Sequence, residues 1–135
     1  ELLALVDAFG AHLDAPVEAL QKQFGLWMFQ RFVEGYPIFF EDKSDGFDML
    51  ASIEDEVHVE VRKLYPEVEL PTFSTQRLSQ NTFQMVYSSE RPLEFFCLGL
   101  IEGCMAHFDH VSSIEMKKID KADRYAAEFT ISRAA

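Results

Sequence analysis

The sequence predicts an α+β domain: a helical N-terminal part packed on a small antiparallel sheet that one long helix interrupts. Three observations predict it. Apolar residues recur at helical spacing through the first part of the chain, the character turns to strand after Pro71, and a long apolar helical stripe opening at Arg91-Pro92 separates the first strand region from two later strands.

Each element follows from local signals. Leu2, Leu5, Val6, Phe9 and Leu13 hold helical spacing, and Asp14 followed by Pro16 stops that helix and opens the next. The second helix sets Val17, Leu20, Phe24, Trp27, Met28 and Phe32 on one stripe and ends at Gly35, before Tyr36-Pro37. Ile38, Phe39 and Phe40 are apolar, whereas Glu41 to Gly46 is charged and turn-rich, so a loop is expected there, followed by a short helical piece over Phe47 to Ala51. Residues 52–65 fit two periods, because Val57, Val59 and Val61 alternate as in a strand while Ile53, Val57, Val61 and Leu64 follow a helix. Capping favours the helix: Ser52 with Asp55 resembles a capping box, and Arg62 and Lys63 suit a helix C-terminus before Pro66.

Beyond Pro71, Phe83, Met85, Tyr87 and Ser89 alternate on one side of a strand segment entered through Ser79-Gln80-Asn81. The long helix carries Leu93, Phe96, Cys97, Leu100, Ile101, Cys104 and Phe108. Two last strands hold Ile114 and Met116, then Tyr125, Ala127, Phe129 and Ile131, about a turn at Asp120 to Asp123.

The 135 residues read as a single domain, 1–135, with enough chain to hide roughly two-thirds of its unfolded surface. Twelve basic against 23 acidic residues give a formal charge of -11, which repels phosphate backbones and anionic head groups, so no nucleic-acid and no membrane partner is expected. No apolar run approaches the roughly 20 residues of a membrane span, and no basic leader with an apolar core opens the chain, so a soluble, cytoplasmic protein is expected. Cys97 and Cys104 lie two turns apart on one helix, where they cannot bridge without distorting it; reduced thiols fit a cytoplasm. The chain starts at Glu1 inside a helical pattern, so further residues upstream are expected.

Catalysis finds no support. Neither cysteine sits at a helix start beside a base, the acidic residues read as a solvated face, and no glycine-rich phosphate loop follows a strand, so no enzyme is expected. Cys104, His107 and His110 are spaced as a partial zinc set but lack a fourth ligand. The 13 phenylalanines supply more flat apolar surface than a small core needs, which fits a pocket for something flat and fits a phenylalanine-rich core equally well.

Two features carry chemistry. Among histidines 12, 58, 107 and 110, His58 borders the Val57, Val61, Leu64 stripe; such a residue is ordinarily a satisfied boundary histidine, yet a neutral imidazole there can also give a ring nitrogen to a metal. Tyr87, Ser89 and Arg91, spaced i, i+2, i+4, would point a phenol, a hydroxyl and a guanidinium to one side of an extended segment. That set suits two neighbouring carboxylates at a helix start, and it suits equally a polar strand-to-helix junction with Ser89 as the cap.

Tyr87-Ser88-Ser89-Glu90-Arg91 resembles the Y-x-S-x-R signature of heme nitric oxide/oxygen-binding (H-NOX) domains, bacterial standalone type. EDEVHVEVRKLY, with His58, is similar to the family's proximal-histidine helix; FCLGLIEG, residues 96–103, to the helix after the signature; and MFQRFVEGYPIFF to its upstream helix and loop. The resemblance implies heme b held between the two parts of the fold, with His58 on the iron, Tyr87, Ser89 and Arg91 on the propionates, and Pro71 distorting the ring. It further implies a pocket lined by Phe32, Phe96, Leu100 and Met28. Oxygen-binding members carry a tyrosine where this chain has Phe96, and Met28 falls near a polar distal position, so the resemblance implies preference for nitric oxide, with carbon monoxide as a second gas. It also implies a domain lacking the N-terminal helices of family members, which begin with about 45 further residues, one or two helices' worth, and that Gly99 and Gly103 permit close backbone approach.

The implied function is a heme-based nitric oxide sensor in which nitric oxide binds ferrous heme, weakens the bond to His58 and switches a partner in trans, a histidine kinase or a cyclic-di-GMP enzyme. The alternative is a heme-free ligand-binding or protein-interaction module on the same scaffold.

Overall fold

Residues 17–108, 112–120 and 123–133 are described by the computed structural model. The helix expected over residues 2–13 lies outside them, as do His12, His110 and the middle of the turn at 120–123.

The chain runs as helix α1 (Val17–Gly35), a short helix α2 (Ile38–Glu41), helix α3 (Gly46–Ala51), a π-helical turn (Ile53–Val57) that passes into helix α4 (His58–Leu64), strands β1 (Thr72–Ser79) and β2 (Thr82–Ser89), helix α5 (Glu94–His107), and strands β3 (Ser112–Ile119) and β4 (Tyr125–Arg133). The strands form one antiparallel sheet in the order β1-β2-β4-β3, confirming the α+β class. On β2 the buried residues alternate, with Phe83, Met85, Tyr87 and Ser89 facing inward as their spacing required. Opposite them in register, Ala127, Phe129 and Ile131 of β4 are fully buried. Cys97, Ile101, Cys104 and Met105 of α5 join the same core cluster as these strands, together with Phe47, Met49 and Leu50 of α3.

Helix α1 has the expected ends, but the buried face differs from the expected stripe. Gln21, Gly25 and Phe29 are buried, whereas Trp27 is 55% and Phe32 40% exposed and Leu20, Phe24 and Met28 are half-buried. The reason lies in the contact with α5. A Cβ built on Gly99 would strike the carbonyl oxygen of Lys22, and one built on Gly25 would strike that of Phe96; the two glycines' own backbones meet, each Cα lying 3.0 Å from the other's built Cβ. Gly103 takes the Phe29 side chain in the same way. Absence of side chain, rather than apolar character, therefore selects the face. The apolar stripe of α1 is turned beside this contact and left partly uncovered.

Other joints tie distant segments together. Asp45 caps α3 by accepting from Asp48 N at 2.8 Å and also accepts from Arg133 at 2.8 Å, while that guanidinium lies 4.3 Å from the Phe47 ring centroid. Ser52 does not cap the helix that follows. Its hydroxyl donates back to Met49 O at 2.7 Å, because the chain runs from α3 into the π turn with Ser52 still in helical geometry and no free helix start to cap. The strand reading of 57, 59 and 61 is excluded.

Candidate functional site

His58 opens α4 directly after the π turn, whose closing bond runs from His58 N to Ile53 O. The side chain is buried, at 7% exposure. Its Nδ1 lies 3.0 Å from Glu54 Oε1. A carboxylate can only accept, so Nδ1 carries the proton and, in the neutral ring, Nε2 holds the lone pair. Burial pushes the His58 pKa below its ordinary value, opposed by the Glu54 hydrogen bond, so the ring is neutral at pH 7. A buried neutral imidazole with one nitrogen held by an acid and the other presenting a lone pair is the state a metal-ligating histidine needs. Glu54 Oε1 also accepts from Phe73 N at 3.0 Å, linking the turn to β1.

From His58 a series of rings leads toward the second feature. The His58 and Phe73 centroids are 5.6 Å apart, and those of Phe73 and Tyr87 6.0 Å. Tyr87 and Ser89 are both buried on the inner face of β2. Tyr87 donates its hydroxyl to Arg91 O at 2.8 Å, and Ser89 Oγ accepts from Arg91 N at 3.1 Å. Arg91 lies two residues beyond the end of β2, so the i, i+2, i+4 alternation covers Tyr87 and Ser89 and stops there. Its guanidinium is half exposed and stands 3.8 Å from Glu69, a carboxylate that occupies the place any other carboxylate would compete for. The donor chemistry thus fits a carboxylate-bearing group at Arg91, which already meets one, while the Ser89 hydroxyl accepts from Arg91 N and is also hydrogen-bonded to the Tyr87 phenol. Tyr87 fits less directly, since its hydrogen is spent on the backbone; its part here is to fix the junction.

Beyond that junction α5 presents Phe96 and Leu100, both half-buried. The Gly25 contact sets them against α1, where Phe24 lies 5.9 Å from Phe96, ring to ring. Phe24, Met28 and Phe32, at i, i+4, i+8 on α1, share one face, so the half-covered Phe24, Met28, Phe96 and Leu100 border the helix pair with Phe32 exposed further along. Apolar rings left without full cover fit a flat apolar guest better than a closed phenylalanine-rich core does. Pro71 is half-buried, directly before β1 and two residues from the Glu54-bound Phe73.

Several residues of this region were not singled out by sequence. Glu54 sits one helical turn before His58, a spacing that could have flagged it. Phe73 and Glu69 gave no signal. Glu94, at the start of α5, is buried with Oε1 unpartnered among the described residues, and burial raises its pKa, offset in part by Lys118. Below the unfolded carboxyl value both states hold the proton; above it the unfolded chain ionises first, and the fold loses stability as pH rises through the raised value. Glu94→Gln is accordingly expected to raise the thermal midpoint at pH 8 and leave it unchanged at pH 4. Equal gains at both pH values would count against a raised pKa. The thiols of Cys97 and Cys104 are free and buried; burial pushes Cys104 up to about 12, so both stay protonated. Among the described residues no three His, Cys, Asp or Glu side chains converge on a metal position, and no helix is long and apolar enough to cross a membrane.

Fold and site define a class: an α+β domain in which a buried neutral histidine on one helix is joined through two aromatic rings to a hydroxyl-lined strand-to-helix junction. Comparison places it further. The chain belongs to the Haem-NO-binding family, whose model matches residues 1–116. Among solved structures it is similar to an Fe(II) unliganded H-NOX protein from K. algicida (33% identity over 100% of this chain and 72% of that one, TM-score 0.90). An H-NOX protein from S. oneidensis in the Fe(II)NO ligation state is also similar (28%, 99% and 74%, TM-score 0.88). An oxygen-binding H-NOX domain related to soluble guanylate cyclases, at 21% identity over 96% of this chain and 69% of that one and TM-score 0.83, shares the fold. A comparison with curated protein sequences found no match. The family is one of heme-based gas-sensor domains.

Proposed function

We propose that this chain is a heme-based nitric oxide sensor in which His58 is the proximal ligand of a b-type heme. The observation that carries the reading is the state of His58: buried, neutral, with Nδ1 held by Glu54 so that Nε2 presents the lone pair. Heme, when bound, would supply an iron able to take a gas and to exchange its bond to His58 for that ligand. The residues of this chain do the rest. Ser89 and Arg91 bind the propionates, Tyr87 holds the backbone they hang from, Pro71 presses on the ring, and Phe32, Phe96, Leu100 and Met28 exclude water from the gas side.

Phe96 and Met28 carry no hydrogen-bond donor, so a bound gas that needs one is disfavoured there, while nitric oxide and carbon monoxide need none. The similarity at 28% identity to a protein solved in the Fe(II)NO state supports this preference. His58, once released, frees the start of α4, which supplies the two-state element a switch needs. The partner would be a histidine kinase or a cyclic-di-GMP enzyme in the cytoplasm, consistent with the free thiols of Cys97 and Cys104. A heme-free module is the second reading, favoured by the Tyr87 hydroxyl being spent within the junction.

One spectrum decides between them. Purified protein reconstituted with heme is expected to show a Soret band that shifts when nitric oxide meets the reduced form, and no stable gas-bound spectrum when that form meets air. Absence of any Soret band after reconstitution overturns the sensor; a stable spectrum in air overturns the apolar gas side.

A further inference from the structure

We infer that Glu54 is a positioning residue for the iron ligand: one of its carboxylate oxygens holds His58 in the Nδ1–H form and ties that imidazole to the backbone of β1 at Phe73. This rests on the heme reading above and goes beyond it in naming what orients the ligand and where its displacement is felt.

The geometry makes the link specific. The two bonds run from His58 Nδ1 and from Phe73 N to the same Oε1, each 3.0 Å long, so ring and strand share one anchor atom. They come from different distances in sequence, four residues on and 19 residues on from Glu54. The carboxylate stands in the π turn, an arrangement with i→i+5 bonding that proteins tend to keep where function requires it. Across the same turn Glu56 meets Lys43 at 3.0 Å, and Lys43, whose side chain is only 7% exposed, also meets Asp42 at 2.6 Å. Both acidic residues therefore pin the turn, Glu56 to the loop before α3 and Glu54 to the sheet, which leaves His58 little freedom of its own.

An imidazole whose N–H is given to a carboxylate is a stronger donor at its other nitrogen than one bonded to a neutral carbonyl. Glu54 thus holds the ring with Nε2 unprotonated and strengthens whatever bond that nitrogen makes. Because the same oxygen holds Phe73 N, a shift of His58 is passed to the start of β1, and from Phe73 to Tyr87 through ring contact.

The test uses the whole chain, with and without heme, and the variants Glu54→Gln and Glu54→Asp. Gln keeps an acceptor oxygen and removes the charge; turned over, its amide donates to Nδ1 and puts the proton on Nε2. In the heme-free wild type, nitrogen NMR of the His58 ring is expected to show the Nδ1–H form and the Phe73 amide to exchange slowly. In Glu54→Gln the Nε2–H form gains population, heme binds about 10- to 100-fold more weakly, and the ferrous iron–histidine stretching band moves to lower frequency. Glu54→Asp, which keeps the charge, restores the ring form. A wild-type ring protonated on Nε2, or a Gln variant with unchanged ring form and band position, overturns the inference. Should the Gln variant fail to fold, the wild-type ring alone decides. Should wild type take up no heme, the sensor reading fails, while the ring and the Phe73 amide still decide the role of Glu54.

Discussion

His58→Ala is expected to abolish the five-coordinate ferrous spectrum of reconstituted protein, and added imidazole is expected to restore it. The substitution removes the Nε2 lone pair and leaves a hole the size of the ring beside Phe73, lined by Glu54 Oε1, which keeps only its bond to Phe73 N. Free imidazole fits that hole chemically, because the same carboxylate can accept its N–H and turn its other nitrogen the way His58 turns its own. With His58 as the proposed iron ligand, heme affinity should fall by more than for a substitution at Phe32, Phe96, Leu100 or Met28, since the bond from Nε2 is lost. Absorption and resonance Raman spectra of the ferrous variant, with and without imidazole, check the result. A variant with an unchanged spectrum that ignores imidazole would place the iron on another residue.

The second large effect is on stability. Gly99→Ala gains about 1 kcal/mol of helix propensity in the middle of α5. Against that, its Cβ meets the Lys22 carbonyl and lies 3.0 Å from Gly25 Cα and from Leu26 N, all backbone atoms that cannot swing aside. Overpacking of this kind costs about 3 kcal/mol, at the upper end of the usual range. The contact wins, and the net loss is about 2 kcal/mol, a fall of roughly 4–8 °C in the thermal midpoint. Gly35→Ala supplies the control: it ends α1 with nothing within 4 Å of its added carbon, so it should be neutral or slightly stabilising. Thermal unfolding of the two variants side by side tests the pair; similar midpoints would mean that α1 and α5 part without cost.

The structure shows which signals in the chain can be read locally. The limits of α1, α3 and β2 follow from breakers and period because those are properties of neighbours in sequence. The buried face of α1 does not, since the helix pair is closed by Gly25 and Gly99, residues that carry no apolar signal, and Phe24, Met28 and Phe32 are left half-covered or exposed beside it. Sequence placed Tyr87 and Ser89 on the inner face correctly, yet alternation ends with the strand, and Arg91 is set instead by two bonds between its backbone and those side chains. The capping box at Ser52 failed because a π turn continues the helical path without a start to cap. Glu54 illustrates the general difficulty: one of its partners is a turn away and legible, the other is 19 residues away and exists only once β1 has docked.

The sheet order β1-β2-β4-β3 puts β4, residues 125–133, between two strands made earlier. As the chain leaves the ribosome, β1 and β2 can zip into a hairpin through a turn of two residues, but β3 has no neighbour to join, and the inner faces of Phe83 and Met85 wait for Phe129 and Ile131. Closure of the sheet is thus deferred to a nine-residue segment that must slot in between β2 and β3 as a wedge. Until it does, the nascent chain exposes an unpaired strand edge and an uncovered apolar face, the two features that make a partly folded chain prone to aggregate.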